Sequence, residues 1–159
     1  MQSAADTHEL LRVLTSHGVQ FIVVGMTAGV LQGAPVVTFD LDIVYRRSDD
    51  NLPRLLAALA AIDARFRGDP RRIPPNLLHL ESAGQLLETR LGDCDVLGTI
   101  DEGLGFDDLL PDTVTIETGE LSLRVLGLRR LIEIKRRAGR PKDLAALPVL
   151  ESTRERSRG

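Results

Sequence analysis

The sequence holds one cysteine, no tryptophan and only five other aromatic residues among 159 positions. A lone thiol, Cys94, cannot close an internal disulfide, and so few rings cannot build a base-stacking platform for single-stranded nucleic acid. Long apolar runs are missing too. The longest, residues 21–24 and 55–62, fall well short of the roughly 20 apolar residues that cross a bilayer, so no membrane span is expected. Residues 1–9 lack the basic start and apolar run of a secretory signal, which with the single thiol predicts a reducing, cytoplasmic setting. His8, His17 and His79 have no metal-ligand spacing to one another or to Cys94. Neither a Walker loop nor a Gly-x-Ser-x-Gly elbow is present.

What is there suits one ordinary domain. The length lies within the usual single-domain range, and 43% hydrophobic with 27% charged residues is the balance of a chain that folds. We expect one domain over residues 1–150 and a polar, flexible tail over 151–159. The net charge of −3 hides an asymmetry: residues 93–120 carry nine acids and no Lys or Arg, whereas 129–142 carry seven bases against Glu133 alone. Two solvated faces would give this pattern, and so would an acidic, metal-binding wall opposite a basic, phosphate-accepting helix.

The apolar periodicity predicts an α/β chain. A first helix is capped by Asp6, with Glu9 at capping-box spacing, and stops at Gly18. A buried strand over 19–24 ends at Gly25, and a short helix over 26–32 closes at Gly33. Residues 38–45 read as a strand with Phe39, Leu41, Ile43 and Tyr45 on one face and Thr38, Asp40, Asp42 and Val44 on the other. A helix over 49–63, capped by Ser48, follows. Residues 65–76, with four Arg and three Pro, read as a surface loop. Two hairpins come next, 85–90 with 94–99 about Leu91-Gly92-Asp93, and 114–116 with 121–125 about Thr118-Gly119. A short helix over 106–110 lies between them. A helix over 128–138, preceded by Gly127 and ended by Gly139, and one from Pro141 to about Leu150 complete the chain.

Alternate strand residues lie about 6.5 to 7 Å apart on one face, so carboxylates at i and i+2 can reach one or two metal ions together. Asp40 and Asp42 have this spacing. Asp95, on the strand after Cys94, can join them if the two strands are neighbours, whereas Asp93 follows Gly92 and reads as a turn residue. Lys135 falls at i+7 from Leu128 on an apolar stripe with Leu131 and Ile132. That position suits either a phosphate contact or a stem that packs while its ammonium reaches solvent.

The run FIVVGMTAGVLQGAPVVTFDLDIV, residues 21–44, resembles the nucleotidyltransferase signature: a strand ending in Gly, a short helix, then a strand carrying Asp-x-Asp. RLGDCDVLG, residues 90–98, resembles the strand that bears the third carboxylate. LRVLGLRRLIEIKRRAGRPKDLAAL, residues 123–147, is similar to the C-terminal segment of the bacterial AbiEii-like toxin and minimal nucleotidyltransferase group. The resemblance implies a mixed sheet flanked by helices, with a C-terminal helical segment. It makes Asp40, Asp42 and Asp95 ligands of Mg²⁺ or Mn²⁺, and Asp95 the base toward the acceptor hydroxyl. It sets Gly25, Thr27 and Lys135 against a nucleoside triphosphate. The implied reaction moves a nucleoside monophosphate to RNA, tRNA or a protein side chain, as one component of a toxin–antitoxin pair. Met26 departs from the pattern, which has Gly or Ser there, and Val36 and Val37 stand where a basic residue is common. A non-catalytic domain of the same fold, acting as a toxin or antitoxin partner, is the alternative those departures support.

Overall fold

The computed structural model describes residues 5–82 and 84–158; residues 1–4 of the start and Gly159 of the predicted tail lie outside them. Helix α1, Thr7–Ser16, begins where the Asp6 side chain accepts from the Glu9 amide, as its capping spacing predicts. β1, Phe21–Val24, is buried throughout and runs directly into α2, Gly25–Leu31. β2, Asp40–Tyr45, returns antiparallel to β1, and α3, Asn51–Ala61, follows. Asn51 is fully buried at the start of α3, where its amide bonds Gln20 and the Arg46 carbonyl and ties both strand ends to the helix. Next come β3, Arg65–Phe66, α4, Leu77–Glu81, and the β4–β5 hairpin, Gly84–Thr89 with Gly92–Leu97. α5, Phe106–Leu109, and a 3-10 turn lead into β6, Thr113–Thr118, and β7, Leu121–Leu126. Two helices close the chain: α6, Leu128–Ala138, and α7, Pro141–Arg158.

The seven strands form one mixed sheet in the order β3-β4-β5-β2-β1-β7-β6, parallel at β2/β5 and β1/β7. Leu41, Ile43 and Tyr45 are fully buried, and the Tyr45 hydroxyl donates to the Leu80 carbonyl at 2.5 Å, which ties that face of β2 to α4. Burial pushes the Tyr45 phenol up to about 12. The opposite face meets α2 and α6 and carries the acids.

Several expectations are corrected. Strand β2 begins at Asp40, so Phe39 lies outside it and is 45% exposed. The β4–β5 hairpin turns at Arg90-Leu91, because the Thr89 hydroxyl accepts from the Leu91 amide and donates to the Gly92 carbonyl; Asp93 is thereby a strand residue and not a turn residue. Residues 65–76 contain β3 at the sheet edge, with α4 following. The last helix does not stop near Leu150. It continues to Arg158, held by Thr153, only 2% exposed, and by an Arg136–Glu151 ion pair.

Candidate active site

The parallel pairing of β2 with β5 sets Asp40 beside Asp93 and Asp42 beside Asp95. All four carboxylates therefore sit on one face of the sheet. One ligand oxygen from each of Asp40, Asp42 and Asp95 lies within 4.8 Å of the others. Crowding like charges in a half-buried site disfavours ionisation. Burial first, then the neighbouring Asp40 and Asp95 carboxylates, push Asp42 up to about 7. Burial and then Asp95 raise Asp40 as well, against the opposing pull of Arg67 and Lys142.

Asp42 Oδ1 is buried without a hydrogen-bond partner. An orphaned carboxylate oxygen inside a ring of acids is what a cation would satisfy. The donors are all carboxylate oxygens with no imidazole or thiolate, a set that suits a hard ion such as Mg²⁺ or Mn²⁺. Cys94 lies between the two acids of β5 with its side chain 1% exposed, and its thiol is pushed up chiefly by burial. It faces the core and offers no ligand.

Gly25 adopts φ +67°, and a Cβ there would overlap Asp42 Oδ2. The absence of a side chain at Gly25 is what lets the Asp42 carboxylate lie against the chain turn into α2. Thr27 takes a different place from the one expected. It is buried, and its hydroxyl donates to the Asp40 carbonyl at 3.1 Å, so it pins β2 to α2 and has no proton left to donate to a phosphate.

A cleft of about 290 Å³ opens beside the acids, lined among others by Gly25, Asp42, Asp101, Leu131, Lys135 and Arg140. Lys135 is largely buried and does not stand free. Its ammonium lies 3.3 Å from Asp143, and its side chain is 16% exposed. Asp143 is wholly covered by its own partners, since Arg140 also bonds it through Nε at 2.6 Å and Nη2 at 3.2 Å. Burial works to raise the Asp143 carboxyl, but the Arg140 and Lys135 contacts outweigh it and hold the group below the usual range. A further cavity, of about 320 Å³, bounded by Phe21, Arg46, Phe106 and Arg124, lies away from the acids and has no carboxylate on its wall.

Three residues of this region escaped the sequence reading. Asp93 follows Gly92 and so looks like a turn residue in the sequence, and Arg140 and Arg67 carry no local pattern. Arg67 follows β3, and its guanidinium lies 2.5 Å from Asp95 Oδ1 and 3.3 Å from Asp93 Oδ2. The only signal was the density of Arg between residues 65 and 76, which does not say which of the four points inward.

The mixed seven-stranded sheet, its flanking helices and its C-terminal helix are those of the nucleotidyltransferase fold. Solved structures that share it include two of known description. One is a candidate nucleotidyltransferase from Thermotoga maritima, 18% identical, with a TM-score of 0.58 over 89% of this chain and 88% of that one. The other is the lincosamide antibiotic adenylyltransferase LnuA in its lincomycin-bound form, 12% identical, with a TM-score of 0.63 over 95% of this chain and 99% of that one. At such identities the likeness is one of fold. No protein-family model matches the sequence, and no curated protein matches it. Among the described residues no helix is long and apolar enough to cross a membrane.

Proposed function

We propose that this protein is a metal-dependent nucleotidyltransferase that moves a nucleoside monophosphate from a nucleoside triphosphate to a hydroxyl of RNA, tRNA or a protein side chain. One observation carries the reading: three carboxylates from two parallel strands converge within 4.8 Å, and one of their oxygens is buried without a donor. Asp40 and Asp42 would hold Mg²⁺ or Mn²⁺, with Asp95 completing the set. The bound ion would neutralise charge building on the transferred phosphoryl group. Asp95 accepts the proton of the acceptor hydroxyl as that oxygen bonds to the α-phosphorus, the α–β bridge breaks, and pyrophosphate leaves. Lys135 and Arg140, on the cleft wall facing Asp42, steady the departing phosphates. Within the fold we assign the chain to the AbiEii-like toxin and minimal nucleotidyltransferase group, on the similarity of residues 123–147, and infer a role in a toxin–antitoxin pair.

The second reading is a non-catalytic partner domain. Met26 supports it, and so does Thr27, because neither residue offers a free hydroxyl donor beside Gly25. Incubation of the protein with each labelled nucleoside triphosphate and Mg²⁺ or Mn²⁺, against total RNA and total protein, separates the two. We expect label in one acceptor pool, lost in Asp40→Asn, Asp42→Asn and Asp95→Asn. Label in neither pool from the wild type would leave the partner domain as the better account.

A further inference from the structure

Arg67 reaches the acids from the β3 edge of the sheet. Its backbone is fixed where its own amide donates to the Leu86 carbonyl at 3.0 Å, just past β3, and where the Phe66 amide before it donates to the Ile73 carbonyl at 3.1 Å. From there the side chain crosses β4, donating to the Leu87 carbonyl at 2.9 Å, and ends on β5. Nη2 bonds Asp95 Oδ1 at 2.5 Å and Nε lies 3.3 Å from Asp93 Oδ2. The Arg67 side chain is 29% exposed and that of Asp95 17% exposed, so the contact is partly withdrawn from solvent. Nη2 makes the hydrogen bonds, to Leu87 and Asp95, while the buried Nε meets Asp93 by charge alone, a planar arrangement that a single ammonium cannot match.

The geometry points to Arg67 as a positioning residue. By clamping Asp95 through Oδ1 and bracing on Asp93, it fixes the rotamer of the third carboxylate and leaves Oδ2 as the oxygen turned to the reacting centre. The inference rests on the nucleotidyltransferase reading for its effect on rate, although the clamp itself has a separate readout. Arg67 places a positive charge beside the acids, so it opposes a metal ion for the same carboxylate while orienting that carboxylate for chemistry. Its removal should therefore move metal affinity and turnover in opposite directions, which a merely structural contact would not do.

The test compares wild type, Arg67→Ala and Arg67→Lys in two measurements: Mn²⁺ affinity by electron paramagnetic resonance without nucleotide, and steady-state transfer of labelled nucleotide. For Arg67→Ala we expect Mn²⁺ to bind tighter by about threefold or more. Its kcat should fall about tenfold or more with the nucleotide KM little changed. Arg67→Lys restores the charge but not the fork, so its Mn²⁺ affinity should return toward wild type while kcat stays low. Tighter Mn²⁺ with unchanged kcat in Arg67→Ala, or full recovery of kcat in Arg67→Lys, would overturn positioning in favour of simple charge balance. Weaker Mn²⁺ binding together with slower transfer would make Arg67 a scaffold residue and also overturn it. If the wild type transfers no nucleotide at all, the proposed function fails on its own. The Mn²⁺ series then still tests the contact of Arg67 with the carboxylates, which equal affinity in all three proteins would refute.

Discussion

At the scale of single residues, the acid cluster opposes folding in the metal-free chain. Asp42 moves from 3.8 toward about 7, first through burial and then through Asp40 and Asp95. A carboxyl raised in the native state binds a proton there that the unfolded chain has already lost. Between pH 4 and 7 the native state thus holds more protons, and the contribution of Asp42 to stability falls as pH rises through that window. Asp42→Asn removes the penalty. In chelator, its thermal midpoint should match the wild type near pH 4 and exceed it at pH 8 by roughly 10 °C, a gain of up to about 4 kcal/mol. Calorimetry across that range checks this, and a pH-independent difference would show that Asp42 ionises freely in the folded protein.

At the scale of elements, the C-terminal pair α6–α7 shows how a turn can build a site. Gly139 adopts φ +65° and ends α6, so α7 folds back and Asp143 reaches Lys135 eight residues earlier in the chain. The basic run of α6 is largely spent on ion pairs. Arg129 and Arg130 meet Asp112, Arg137 meets Asp101, and only the inward Lys135 points at the cleft with Arg140. Most of the charge on α6 is thus taken up in ion pairs, and Lys135 lines the cleft while paired to Asp143. The last two turns of α7 also belong to the fold. Thr153 packs beside Gly33, and its hydroxyl bonds the Val149 carbonyl at 2.6 Å. A chain ending at Leu150 should lose about 1–2 kcal/mol, read as a lower urea midpoint at unchanged slope. An unaltered midpoint would return residues 151–158 to the status of a dispensable tail.

At the scale of the whole molecule, the sheet brings acids from two distant segments to one place, and a cation there would join them. A ligand that binds only the folded state raises its stability by mass action. Mg²⁺ or Mn²⁺ should therefore raise the thermal midpoint of the wild type in a concentration-dependent way, and should leave Asp40→Asn/Asp42→Asn unmoved. Equal shifts in both proteins would put the ion elsewhere on the acidic surface. Without metal the double variant should be the more stable of the two, because it removes closely spaced like charges.

Local chemistry alone determined much of this protein. The Asp6 cap, the Gly25 and Gly139 stops, the two hairpins and the alternation that puts Asp40 and Asp42 on one face all follow from interactions within a few residues, and such interactions are legible in order along the chain. Strand neighbours are not. Only the parallel register of β2 with β5 decided that Asp95 meets Asp42 and that Asp93 stands in the same row. Only the β3 edge, unreadable in an Arg- and Pro-rich stretch, decided that Arg67 is the one of four arginines to turn inward. The chemical type of Thr27 and Lys135 is legible in the sequence, but the groups they meet, the Asp40 carbonyl and Asp143, come from other elements. A donor or cation is committed by whatever lies within about 3 Å of it, and that distance exists only once the sheet and helices have closed.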